Sequence, residues 1–79
     1  MRVTYSLKVQ AICPVDKKND TYQIDIVADR AIPVEDILRL TKDRPEAYQE
    51  TITENLARLL GAKVISTGFH SGVKTVCKA

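Results

Sequence analysis

From Val3 through Tyr5, Leu7 and Val9 to Ala11 the apolar residues occupy every second position, with Thr4, Ser6, Lys8 and Gln10 between them. A period of two is the period of a strand, so the segment buries one face and wets the other. The fold must therefore supply a sheet covered on one side. Cys13 to Asp20 follows, rich in turn formers, and then Tyr22, Ile24, Ile26 and Ala28 resume the alternation. Together the two runs predict an antiparallel hairpin joined by a polar, exposed loop.

The period then changes. Pro33 suits a first helical turn, and Val34, Ile37, Leu38 and Thr41 recur at helical spacing, with Glu35 and Asp36 near the positive end of the helix. Asp43 followed by Glu46 fits a capping-box pattern, and Pro45 suits an early helical position, so a second helix is expected to begin here. Its apolar stripe is Tyr48, Ile52, Leu56, Leu59 and Leu60, and Gly61 supplies a left-handed stop. Val64 to Phe69 and Val73 to Cys77, rich in β-branched residues, flank His70-Ser71-Gly72 and predict a closing hairpin.

The expected architecture is α+β in the order ββααββ: one four-stranded antiparallel sheet with both helices on a single face, forming one domain over residues 1–79. A chain of this length buries only about 60 per cent of its unfolded surface, which leaves little margin for its own core. Two cysteines cannot build a disulfide-dense scaffold, and no ligand-spaced cluster suggests structural zinc. Open sheet edges invite pairing with a neighbour, and such pairing would supply the missing burial, so a homo-oligomer is expected.

Met1 to Gln10 lacks an uninterrupted apolar run, so it reads as neither a signal peptide nor a membrane span, and a cytoplasmic address is the default expectation. Twelve Lys plus Arg against ten Asp plus Glu leave a net charge of +2 spread along the chain, too even to require a nucleic-acid partner. Lys17, Lys18, Arg39, Lys42 and Arg44 offer phosphate contacts or, equally, a solvated surface.

The stretch Cys13-Pro14-Val15-Asp16-Lys17-Lys18-Asn19-Asp20 places a thiol and a carboxylate around one loop between two strands. A thiolate there could attack an electrophile such as a nitrile, and a nearby carboxylic acid could protonate the nitrogen that results, making Cys13 nucleophile and Asp20 general acid. The plainer alternative is that Cys13 is a small apolar residue at a strand end and Asp20 opens the next strand. Glu50 is the second candidate, because a helix carboxylate can accept two parallel hydrogen bonds from a guanine-like edge; the alternative is a solvated glutamate.

The order of elements, Cys13-Pro14 to Asp20, Tyr22 to Asp29 and Tyr48-Gln49-Glu50 resemble the tunnelling-fold (T-fold) superfamily, in particular the nitrile reductases that act on 7-cyano-7-deazaguanine. The resemblance covers nearly the whole chain. It implies a nucleophilic Cys13 that forms a thioimide, Asp20 giving a proton, and substrate binding by Glu50 with Gln49 beside it. The partner it implies is a purine-like small molecule or a modified base in RNA.

The reductases carry a Glu-Ser-Lys-Ser-Leu-Lys-like signature for NADPH, whereas this chain reads Val34-Glu35-Asp36-Ile37-Leu38-Arg39. Gln49 replaces the histidine that precedes the binding glutamate, and Ser71-Gly72 stands where Arg-Gly-Gly is common. No cofactor is therefore expected. In what it lacks the chain resembles the archaeal amidinotransferase-like relatives, which add ammonia to the nitrile. Two alternatives stay open: an oligomeric T-fold-like binding or structural protein without catalysis, and a relative of the zinc-dependent GTP cyclohydrolases, which would need Cys13, His70 and Cys77 to converge on a metal.

Overall fold

A computed structural model describes residues 1–79. The elements run β1 (Val3–Ile12), β2 (Asn19–Ala28), α1 (Val34–Thr41), α2 (Gln49–Leu60), β3 (Lys63–His70) and β4 (Val73–Lys78). The strands form one antiparallel sheet in the order β1-β2-β3-β4, so the expected ββααββ architecture is present. The outer edges of β1 and β4 have no partner strand within the chain. No helix is long and apolar enough to cross a membrane.

The alternation reads out as one buried face. Val9 and Ala11 of β1, Tyr22, Ile24, Ile26 and Ala28 of β2, and Val64 of β3 pack with Ile37 of α1 and Ile52, Leu56 and Leu60 of α2. Each buried Val, Ile or Leu contributes about 1.5–3 kcal/mol, and the core of 12 residues holds only nine of them, beside Tyr22 and two alanines. Val34 and Leu38 of α1 and Leu59 of α2 are exposed, so the apolar stripes on the helices are wider than the core that uses them.

Helix α2 ends as the sequence predicts. Gly61 is left-handed at φ 59°, and the Arg30 guanidinium donates to the carbonyls of Leu60 at 2.8 Å and Gly61 at 3.3 Å, satisfying acceptors that the helix leaves over. Its start differs from the expectation. The helix begins at Gln49 after an extended Tyr48, and Asp43 and Pro45 lie outside it. The Ile12 N–H donates to the Pro45 carbonyl at 2.8 Å and the Ala47 N–H to the Ile12 carbonyl at 3.1 Å, holding Glu46 in a parallel bridge to Ile12. Two backbone hydrogen bonds to the end of a strand outweigh a local capping pattern of about 1 kcal/mol. The bridge ties the start of α2 to the loop that carries Cys13.

Candidate active site

Cys13 opens the β1–β2 connection, and the backbone closes that loop on itself. The Cys13 N–H donates to the Lys18 carbonyl at 2.9 Å, and the Lys17 N–H donates back to the Cys13 carbonyl at 2.9 Å, with Lys17 left-handed at φ 63°. The Asp16 carboxylate accepts the Lys18 N–H at 2.9 Å. That amide is the main reason the Asp16 carboxyl sits below its ordinary range; slight burial opposes it and the Cys13 thiol adds to it. The thiol is free and half-buried.

A cavity of about 320 Å³ lies against this loop. Cys13, Pro14 and Val15 form one wall, Ala47, Tyr48, Gln49 and Glu50 at the start of α2 another, and Tyr22, His70 and Thr75 of the sheet the floor. A larger depression of about 910 Å³ lies elsewhere, but apart from the exposed Asp29 no acid, thiol or imidazole side chain lines it. The chemistry is concentrated in the smaller cavity. Three of the four residues singled out from sequence, Cys13, Gln49 and Glu50, line it together.

Asp20 stands one contact away. It lies at the start of β2, as the plainer reading of the sequence has it, on the same face as Tyr22, and its Oδ2 accepts a hydrogen bond from the Tyr22 hydroxyl at 3.3 Å. Burial first, then the Asp20 carboxylate, push the Tyr22 phenol well above its ordinary value of 10.0. A raised folded-state value means the native phenol holds its proton where the unfolded one does not. The resulting stability is intact below pH 10.0 and lost as pH rises beyond it. Tyr22→Phe should therefore flatten the alkaline fall in stability, measured by denaturant unfolding across that range; an unchanged slope would refute the assignment.

Gly68 makes the floor possible. A Cβ on this residue would lie 2.6 Å from Tyr22 Cε1, so the ring can reach the middle of the site only because β3 has no side chain there. Tyr22 and His70 then meet with ring centroids 6.0 Å apart.

Gln49 is 1% exposed and its amide is committed. Its Nε2 donates to the carbonyls of Ser66 at 3.2 Å and Thr75 at 3.1 Å and to Ser66 Oγ at 3.0 Å. Its Oε1 faces His70 Nε2 at 3.0 Å. Thr53 completes the cluster, donating to the Gln49 carbonyl at 2.7 Å and lying 2.6 Å from Ser66 Oγ. No buried side-chain polar atom lacks a partner. His70 is thus half-buried and held at the end of β3, not free in a turn. Sequence reasoning missed Tyr22 as a site residue and raised His70 only as a candidate zinc ligand; the available signal was Gly68 inside an alternating strand.

Cys13, His70 and Cys77 do not assemble, and no group of three or more His, Cys, Asp or Glu side chains could hold a metal ion. Two of the cations suggested for phosphate contacts are already paired, Lys17 with Glu46 at 3.1 Å and Arg39 with Asp36 at 3.4 Å.

No protein-family model and no curated protein matches the sequence. Among solved structures, the chain is similar to a crystal structure of the archaeosine synthase QueF-Like in its apo form, with a TM-score of 0.82 over 99% of this chain and 90% of that one, at 16% identity. At that identity the likeness establishes a shared T-fold-like architecture.

Proposed function

We propose that the chain binds a 7-deazaguanine-type base and captures its nitrile carbon on Cys13 as a thioimide, which ammonia then converts to an amidine. The observation that carries this reading is the meeting, in one cavity, of a thiol from the β1–β2 loop, a carboxylate from the first turn of α2 and an imidazole from the end of β3. A volume of about 320 Å³ is at the small end of ligand sites and suits one compact ligand. The fold shared with an archaeosine synthase supports the choice of base.

In this reading Glu50 on the cavity rim accepts two hydrogen bonds from the guanine-like edge, and the apolar walls of Pro14, Val15 and Tyr48 exclude water from the ring. The Cys13 sulfur adds to the nitrile carbon and the nitrile nitrogen takes a proton. Asp20 takes the proton of the Cys13 thiol on Oδ1 and gives it to that nitrogen, since Oδ2 is occupied by the Tyr22 hydroxyl. Gln49 serves by positioning rather than by touching the base.

Ammonia is favoured over hydride by α1. Its stretch Val34-Glu35-Asp36-Ile37-Leu38-Arg39 lacks the lysines and serines of the reductases' NADPH signature. The open edges of β1 and β4, with Val73 and Val76 exposed along β4, support assembly of copies edge to edge, which would complete the cavity's open side.

Titration calorimetry with 7-cyano-7-deazaguanine should show binding by Cys13→Ala, which isolates affinity from chemistry. Adding Glu50→Ala should weaken it about 10- to 100-fold, the equivalent of two charge-assisted hydrogen bonds. Equal affinity with and without Glu50 would remove it from the site. Sedimentation of the same samples should give a multiple of 8.8 kDa; a monomer would sink the edge-pairing proposal.

A further inference from the structure

The acceptors around Gln49 determine which way round its amide lies. The Ser66 and Thr75 carbonyls can only accept, so the atom facing both must be the NH2 group. The hydroxyls agree. Thr53 gives its proton to the Gln49 carbonyl, so Ser66 Oγ must donate to Thr53 and is left to accept from Gln49 Nε2. The other end of the amide, Oε1, is therefore an acceptor aimed at His70 Nε2, and the imidazole must be the donor. A neutral His70 is thus held with its hydrogen on Nε2, and Nδ1 is its one basic nitrogen.

We propose that His70 is the proton acceptor of the second half-reaction, with Nδ1 taking a proton from ammonium so that ammonia can attack the thioimide. The proposal rests on the thioimide reading above. His70 lines the cavity that also holds Cys13, and binding a proton at Nδ1 leaves the Nε2–H bond to Gln49 intact, so the ring keeps its place through the cycle. The titratable groups facing it from the packed elements are Cys13 on the loop, Tyr22 on β2 and Glu50 on α2, with Asp20 behind Tyr22. The Tyr22 phenol, with its raised value, keeps its proton and does not compete as a base.

The step balances as follows. Nδ1 removes one proton from ammonium, and the nitrogen lone pair forms a bond to the thioimide carbon. The carbon–sulfur bond then breaks, and the sulfur leaves with the pair as the Cys13 thiolate. The organic product departs as an amidinium carrying two NH2 groups, and the proton on His70 is available to the thiolate. Nothing is oxidised or reduced.

The test starts from the isolated Cys13 adduct of 7-cyano-7-deazaguanine and follows amidine release in ammonium buffers at fixed total ammonium. With the native protein, release should not follow free ammonia as pH rises, because Nδ1 draws on the ammonium that makes up most of the total. Starting from its own isolated adduct, His70→Gln should release amidine about 100-fold more slowly at neutral pH, with a rate that rises tenfold per pH unit as free ammonia does. Equal rates and equal pH profiles in the two proteins would overturn the proposal while leaving the thioimide standing. No adduct in either protein would overturn both.

A measurement on the native protein guards against a misfolded variant. Nitrogen NMR of the His70 ring at high pH should show hydrogen on Nε2 and a bare Nδ1; hydrogen on Nδ1 would contradict the arrangement.

Discussion

Cys13→Ala should abolish consumption of 7-cyano-7-deazaguanine in ammonium buffer, lowering the rate by at least about 10³-fold, while leaving the chain folded and the base bound. The size of the loss follows from what a nucleophile does. Without the sulfur there is no covalent intermediate for ammonia to attack, and positioning alone recovers little of the rate. The fold should survive because Cys13 is half-buried and the turn around it is held by its backbone N–H and carbonyl, which alanine keeps. Nitrile loss followed by absorbance or chromatography checks this, and a variant that retains a tenth of the native rate would exclude Cys13 as the nucleophile.

Gln49→Leu should be the most damaging single change to stability near the site, costing about 2–4 kcal/mol and lowering Tm on the order of 10–20 °C. Leucine has nearly the same size but neither donates nor accepts. It would leave the Ser66 and Thr75 carbonyls without their amide donor and His70 without its acceptor. Each buried group stranded in this way costs about 1–3 kcal/mol. The neighbouring Glu50→Gln, on an exposed side chain, should shift stability by less than about 0.5 kcal/mol. Urea denaturation of the two variants side by side makes the comparison, and similar midpoints would show that the Gln49 network does not hold the site together.

Much of the fold was legible because its period is strict. Val3 to Ala11 and Tyr22 to Ala28 alternate without a break, and both runs pack on the helix-covered face as their spacing requires. Gly61 ended α2 because only the left-handed conformation closes that helix, and α1 spans Val34 to Thr41 as its repeat suggested. The start of α2 was not legible. Asp43, Pro45 and Glu46 carry a valid local signal, but the backbone of Ile12, more than thirty residues earlier, claims the hydrogen bonds of that segment.

The site divides in the same way. Cys13 and Glu50 could be picked out because thiols and carboxylates at loop and helix starts have recognisable chemistry. Tyr22 could not, since it is one more apolar residue in an alternating strand, and His70 stood out only as a zinc ligand, a role the structure does not assemble. What joins them is the space left by Gly68 and the amide of Gln49, both tertiary facts. Asp20 was found for its carboxylate, and the reading that it opens the next strand agrees with its place in β2. Its place within β2, opposite Ala11, is what brings it onto the face that carries Tyr22.

The central claim is that Cys13 forms a covalent bond with the nitrile of a deazaguanine base, and intact-protein mass spectrometry after incubation with 7-cyano-7-deazaguanine tests it most directly. The expected result is a mass increase equal to one molecule of the nitrile, present in the native chain and absent in Cys13→Ala. An unchanged native mass together with no detectable binding would contradict the claim, and the T-fold-like architecture would then stand with a different ligand.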